Sequence, residues 1–180
     1  MEIFKFGGAS VKDAAGVKNV LEVLKTVGHE NVLLVISAMG KTTNALEIVI
    51  KNYFDKSNEL YASLQDIRKY HNQILLDLFE DEEHEVFFDI NAHFDDLEYF
   101  VRSNKSPNYP FVYDQIISIG ELVSTTIVSH YLNFAGISNQ WLDVRQYIKT
   151  DNNYRDANVD WDHTQKLISK INRKNSLFVT

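Results

Sequence analysis

Four short segments gather residue types that can handle phosphate and carboxylate groups. In Lys5-Phe6-Gly7-Gly8-Ala9-Ser10 a cation stands two residues before a glycine pair. Residues without a Cβ let backbone N–H groups close on phosphate oxygens, and the Lys5 ammonium can neutralise charge on a phosphoryl group in transfer. The same six residues equally suit a tight strand-to-helix turn with a surface lysine. They lack G-x-G-x-x-G spacing, so a dinucleotide fingerprint is unsupported.

The second segment is Ser37-Ala38-Met39-Gly40-Lys41-Thr42-Thr43-Asn44. Gly40-Lys41-Thr42 imitates the end of a Walker A loop, yet the first glycine of that motif would fall at Val35, and the loop is too short to wrap a triphosphate. What remains is a loop at the carboxyl end of a strand, where ligands of α/β sheets bind, carrying the hydroxyls of Ser37 and Thr43. An N-cap by Thr43 or Asn44 for the next helix is compatible with that. In Ser118-Ile119-Gly120-Glu121-Leu122-Val123-Ser124 one carboxylate sits beside a glycine in an apolar helix. Thr125 occupies the i+4 position, so no ion pair along the helix is available. A buried Glu121 would need a donor, either a ligand ammonium or a distant lysine or arginine. In the fourth segment Asp143-Val144-Arg145 precedes Thr150-Asp151, and internal pairing of Asp143 with Arg145 is expected over a ligand role. The six histidines show no metal-ligand spacing; Asp89 and His93 are four apart on an expected solvent face. The acidic run at 80–83 reads as a solvated helix connection, not a metal site.

These segments need elements to hold them. Glu2–Phe6 alternates like a strand that Gly7-Gly8 ends. Val17, Val20, Leu21, Leu24 and Val27 then follow helical spacing, with Asp13 as cap and Gly28 as stop. Val32–Ile36 is a continuous apolar run, as in a strand buried on both faces of a parallel sheet. A helix is expected from Leu46 onward. Leu60, Leu64, Ile67, His71, Ile74, Leu75 and Leu78 define a long amphipathic helix, and Val86, Ile90, Phe94, Leu97 and Val101 a second, together an antiparallel hairpin. Pro107 and Pro110 mark a loop before a helix over 116–134 closed by Gly136. A strand at 141–144, a polar excursion at 151–160, a helix at 163–174 and a strand at Leu177–Val179 complete the reading. The alternation predicts a three-layer α/β/α domain around a mostly parallel sheet, plus the helical hairpin. An end at Leu177-Phe178-Val179-Thr180, in mid-strand, suggests a fragment of a longer polypeptide.

Composition narrows the function classes. The 180 residues include 18 Lys+Arg, 25 Asp+Glu, 7 Gly, 2 Pro and no Cys, and 44% are apolar. That is one domain, or one and a fraction, with material for a sizeable core. Without cysteine, disulfides, thiolate metal sites and cysteine nucleophiles are excluded. A cytoplasmic setting fits, since the first residues carry acid and base early and no signal-peptide core. No apolar run is expected to cross a membrane. The charge of -7 disfavours nucleic acid as a partner.

Taken together, the segments resemble the amino-terminal part of aspartate kinases, in the amino-acid kinase superfamily. The likeness spans the whole chain and rests on Lys5-Phe6-Gly7-Gly8-Ala9-Ser10-Val11, Ser37-Ala38 leading to Thr43-Asn44, Gly120-Glu121-Leu122 with Ser124, and Asp143-Val144-Arg145 with Thr150-Asp151, in the family's order. Ala9 departs from the family's usual threonine, which removes a hydroxyl but keeps the backbone donors. The resemblance implies ATP-dependent phosphorylation of the side-chain carboxylate of L-aspartate to 4-phospho-L-aspartate, toward lysine, threonine and methionine. Lys5 would stabilise the transferring phosphoryl group; Gly7, Gly8 and Ser10 would line it. Thr43 would hold aspartate, Glu121 would take its α-ammonium, Ser37 would sit at the cleft floor, and Mg2+ would bridge the ATP phosphates. The hairpin, at about 56–102, matches a family insertion. The nucleotide pocket, a further glycine-rich segment and ACT regulatory domains would lie beyond residue 180, leaving 1–180 as the aspartate-binding half, inactive alone and homo-oligomeric in the full-length protein. The competing readings are a stand-alone amino-acid-binding or dimerisation module and a kinase of another superfamily branch.

Overall fold

Two aromatic and three apolar β-branched or leucine positions, alternating in register, decide how the sheet forms. In the computed structural model, which describes residues 1–171 and 177–180, β1 (Glu2–Phe6) pairs in parallel with β2 (Val32–Ile36), placing Phe4 beside Leu34 and Phe6 beside Ile36. β4 (Leu177–Val179) lies on the far side of β2, and β3 (Gln140–Trp141) beyond it, giving the order β1-β2-β4-β3 with every pairing parallel. Phe4, Phe6, Val32, Leu34, Ile36, Leu177 and Val179 all meet the core. The period of two turns Ile3, Lys5, Leu33 and Val35 to the opposite face, where Ile3 is 65% exposed. Leu33 and Phe178 on that face are partly roofed by Tyr147, Ile148, Ile168 and Ile171 around a cavity of about 190 Å³.

Helices cover the core face. α1 (Ala14–Val27) is capped by Asp13, whose carboxylate accepts from the Gly16 N–H at 2.8 Å, and ends at Gly28, whose φ of 96° needs glycine. α2 (Thr42–Phe54), α3 (Leu60–Leu78), α4 (Glu85–Ser103) and α5 (Tyr109–Phe134) pack on one another, and α5 runs under β2, β3 and β4. α3 and α4 lie side by side, with Arg68 paired to Asp95, His71 against Phe94, and Phe79 against His84. α6 (Trp161–Ile168) is capped by Asp160, which accepts from the His163 N–H at 3.0 Å. The helix expected over 163–174 instead ends at Ile168, where Ser169 caps it and the chain turns through 169–171; only 172–174 of that expectation lie outside the described residues.

Three further boundaries differ from expectation. α5 starts at Tyr109, because Pro110 occupies its first turn, where a missing N–H costs nothing, and Asn108 caps it. The strand expected at 141–144 is cut to two residues: Asp143 accepts from the Arg145 N–H and turns the chain into a 3-10 turn at Val144–Gln146. α2 begins at Thr42, before the expected Thr43 or Asn44 cap, and no side chain caps it. The buried Thr42 hydroxyl instead donates to the Met39 carbonyl at 2.6 Å.

α5 is long and apolar enough to cross a membrane by length and composition, although Asp114 and Glu121 interrupt its apolar run. Here that apolar character serves the core, where Ile116, Val123, Ile127, Val128 and Leu132 are fully enclosed. At its carboxyl end the side-chain amide of Asn139 donates to the Ser129 and Ile137 carbonyls and its oxygen accepts from the Ser129 hydroxyl at 2.6 Å. This locks α5 to β3. Asn139→Ala strands those buried carbonyls, and we expect it to cost about 2 kcal/mol in urea-induced unfolding.

Candidate functional site

Parallel pairing brings the carboxyl ends of all four strands to one edge, so the loops after β1 and β2 and the turn after β3 meet there. Two glycines make the approach possible. The Gly40 N–H donates to the Gly8 carbonyl at 2.9 Å, and a Cβ at Gly8 would collide with the Ala38 carbonyl oxygen. A Cβ at Gly120 would lie 2.9 Å from that of Ala38. The segments carrying Gly7-Gly8, Ser37-Ala38 and Gly120-Glu121 are therefore in direct contact, one from each of three distant stretches of chain. The Ser124 hydroxyl fastens the arrangement by donating to the Ser37 carbonyl at 2.7 Å, and the Ser37 N–H donates to the Phe6 carbonyl at 3.0 Å.

Around this junction the candidate residues take different stations. Gly7 precedes the 3-10 turn Gly8–Val11, and the exposed Ser10 lies in that turn, its N–H donating to the Gly7 carbonyl at 2.8 Å. Thr43 is half-buried in the first turn of α2. Glu121 is exposed, against the buried position expected for it: one step along the helix from the packed Gly120 turns its side chain out over the sheet edge. It forms no ion pair among the described residues. It lines a cavity of about 220 Å³ with Ser118, Thr125, Asp143, Arg145 and Thr180.

Asp143 and Arg145 pair internally, as expected. The guanidinium grips the carboxylate in bidentate fashion, Nε to Oδ1 at 2.8 Å and Nη2 to Oδ2 at 2.7 Å. That bond holds the Asp143 carboxyl below its usual range and the Arg145 guanidinium above its own. The pair closes one wall of the Glu121 cavity with its charge neutralised.

Lys5 is exposed and leaves β1 on the face away from α5. A second cavity, of about 650 Å³, lies on the other flank of the junction, lined by Lys12, Asp13, Gly40, Lys41, Ser63, Asp66 and Tyr70. The two cavities share no lining residue, and neither is lined by Lys5. Lys5 and Glu121 thus occupy the same edge of the sheet without sharing one of these cavities.

Sequence reasoning missed two contributors on α3. Tyr70 donates its hydroxyl to the Lys12 carbonyl, and burial together with the Asp13 charge pushes its phenol up, keeping it a donor at neutral pH. His71 is fully enclosed, with Nδ1 at 2.8 Å from the Ile67 carbonyl and Nε2 at 3.3 Å from the Thr42 hydroxyl. The carbonyl must receive a proton, so Nδ1 carries the hydrogen. In the sequence His71 occupies an apolar helical position, a placement that marks burial but not its partner.

A parallel sheet with glycine-bearing loops crowded at its carboxyl edge defines an α/β domain of the kind whose ligands meet that edge. The chain belongs to the amino acid kinase family, whose model matches residues 1–179. It is 27% identical over 150 residues to bifunctional aspartokinase/homoserine dehydrogenase 2 of Escherichia coli (strain K12), covering 83% of this chain and 18% of that protein. Among solved structures it resembles E. coli aspartokinase III in complex with lysine and aspartate, with a TM-score of 0.81 and 25% identity over 94% of this chain and 37% of that one. The same enzyme in complex with aspartate and ADP superposes with a TM-score of 0.85 at 23% identity, over 99% of this chain and 39% of that one. The chain therefore spans about a fifth of that curated relative and under two fifths of those solved chains.

Proposed function

We propose that this chain is the aspartate-binding, amino-terminal portion of an aspartate kinase, a phosphotransferase that uses ATP to phosphorylate the side-chain carboxylate of L-aspartate. The observation that carries this reading is the direct contact of Gly8, Ala38 and Gly120 at the carboxyl edge of the sheet. It assembles the backbone donors of Gly7 and Gly8, the hydroxyls of Ser10 and Thr43 and the carboxylate of Glu121 around one junction. Family membership supports it, as do the aspartate and ADP held in solved structures of E. coli aspartokinase III.

The division of labour follows from charge and position. Glu121, without an ion pair among the described residues, lies over a small cavity and takes the substrate ammonium, while Thr43 and Ser37 hold the carboxylates at the loop after β2. Gly7 and Gly8 present N–H groups, and Ser10 its hydroxyl, to the phosphoryl group in transfer. Lys5 is two strands from Thr180 in the sheet order, about 10 Å at ordinary strand spacing. That separation suits a cation that meets the transferring phosphoryl end of an extended reactant pair while Glu121 holds the other end. ATP supplies the phosphoryl group; this chain's part is to align the aspartate carboxylate for in-line attack and to spread the developing negative charge. Among the described residues no three carboxylates or histidines are grouped to hold a metal ion. The chemistry assigned to this chain is accordingly that of its lysine, glycines, hydroxyls and Glu121, without a step through Mg2+. α3 and α4 correspond in this reading to the family's helical insertion.

Calorimetric titration with L-aspartate tests the assignment. Wild-type chain is expected to bind, and Glu121→Ala to weaken binding at least tenfold with an unchanged melting temperature, because the side chain is exposed. Equal affinity in the variant overturns the role of Glu121. Incubated with ATP and aspartate, the chain alone is expected to show no steady turnover, and sustained ADP release contradicts that part of the reading.

A further inference from the structure

We infer that Tyr70 and His71, adjacent on α3, are positioning residues that set the spacing between the loop after β1 and the loop after β2, and through it the affinity for the substrate. The inference rests on the functional reading above and extends it to a helix that touches none of the proposed ligand groups.

One turn of α3 reaches both loops. The Tyr70 hydroxyl donates to the carbonyl of Lys12, the residue that ends the turn bearing Gly8 and Ser10. The same oxygen lies only 2.6 Å from where a Cβ on Gly40 would stand, so the phenol is wedged against the second loop as well. Gly40 in turn donates its N–H to Gly8. Lys12, Tyr70, Gly40 and Gly8 thus close a ring in which the phenol is the one side-chain member. His71 acts one residue further along. Its Nε2 lies 3.3 Å from the Thr42 hydroxyl, whose single proton is shared between this acceptor and the Met39 carbonyl at 2.6 Å, and Thr42 is the neighbour of Thr43. The ring is held from behind by Phe94 of α4 and from within α3 by the Ile67 carbonyl. On the opposite flank Gly120 and Ser124 of α5 grip the same loop at Ala38 and Ser37. The loop that carries Ser37 and Thr43 is therefore clamped between α5 and α3, and only the α3 side also reaches the phosphate-side loop. A helix whose sole duty were to bury apolar surface would need neither hydroxyl nor imidazole at these positions.

Two readouts test this. The first is amide hydrogen exchange without ligand, at a fixed interval below each variant's melting temperature. Tyr70→Phe is expected to raise exchange at Ser10, Gly40 and Thr42, whose N–H groups bond within these loops, while Leu142, bonded to the Val179 carbonyl, is unchanged. The second is aspartate titration. Tyr70→Phe and His71→Leu are expected to weaken binding about fivefold to tenfold, and His71→Gln, whose amide still reaches Thr42, to retain wild-type affinity. Unchanged exchange in Tyr70→Phe overturns the inference, as does equal loss of affinity in His71→Leu and His71→Gln. Should wild-type chain bind no aspartate while Tyr70→Phe still loosens both loops, the clamp stands and the substrate assignment fails.

Discussion

Alanine at Gly8 is expected to destabilise the chain by about 3 kcal/mol and to lower its melting temperature by roughly 6–12 °C. The added methyl would collide with the Ala38 carbonyl oxygen and come within 3.2 Å of that of Gly40. Both obstacles are backbone atoms, tied to Phe6 and Gly8 by the hydrogen bonds of Ser37 and Gly40, so neither can step aside as a side chain would. The only relief is separation of the two loops, which breaks the Gly40-to-Gly8 bond and disperses the proposed binding site. Aspartate affinity should fall along with stability. Gly7 is the control: nothing lies within 4 Å of a Cβ there, and its φ of -75° suits any residue, so Gly7→Ala should stay within about 0.5 kcal/mol of wild type. Differential scanning calorimetry of the two variants decides the matter, and a Gly8→Ala chain that melts with the wild type refutes the close approach.

Acidification is expected to weaken the fold through His71. Burial drives its pKa from 6.5 down to about 4, only partly opposed by the bond to the Ile67 carbonyl. The folded state thus holds the neutral ring, whereas the unfolded chain takes up a proton as soon as the pH drops below 6.5. The contribution is complete above about pH 6.5, is lost progressively as the pH falls to about 4, and stays lost below that. A shift of this size corresponds to about 3 kcal/mol. Carboxylates titrate in part of the same window, so the measurement is a difference: urea unfolding of wild type and of His71→Gln at pH 7 and pH 4. The gap between the two proteins should move by about 3 kcal/mol in favour of the variant on acidification. His93, also shifted down by burial and by Arg145, adds a change of the same sign that both proteins share. A gap that does not move shows that the fold leaves the His71 pKa where the unfolded chain has it.

The sequence by itself was enough for the elements that depend on local chemistry. Asp13 and Gly28 bound α1 as their types require, the Val32–Ile36 run became an inner strand, and Asp143 paired with Arg145 two residues away. It was also enough for the motif order by which the chain resembles its family, because glycine pairs and strand-end hydroxyls are demanded by backbone geometry and read in one dimension. Boundaries set by competition were less legible. Pro110 is a loop signal and a first-turn helix residue alike, and only the Asn108 cap settles which.

What tertiary structure alone decided is where charges and neighbours fall in space. Glu121 reads as buried among apolar residues, yet a rotation of about 100° per residue carries it off the face that Gly120 presses onto Ala38. Lys5 reads as a partner of the same crevice, yet the strand's alternation sends it to the face away from α5, and it lines neither cavity at that edge. Tyr70 and His71 look like one exposed and one core position of an amphipathic helix, and no spacing links them to Lys12 or Thr42, which lie 58 and 29 residues away along the chain. Local propensity is a property of a few consecutive residues; such contacts exist only once strand order has brought the loops together at one edge.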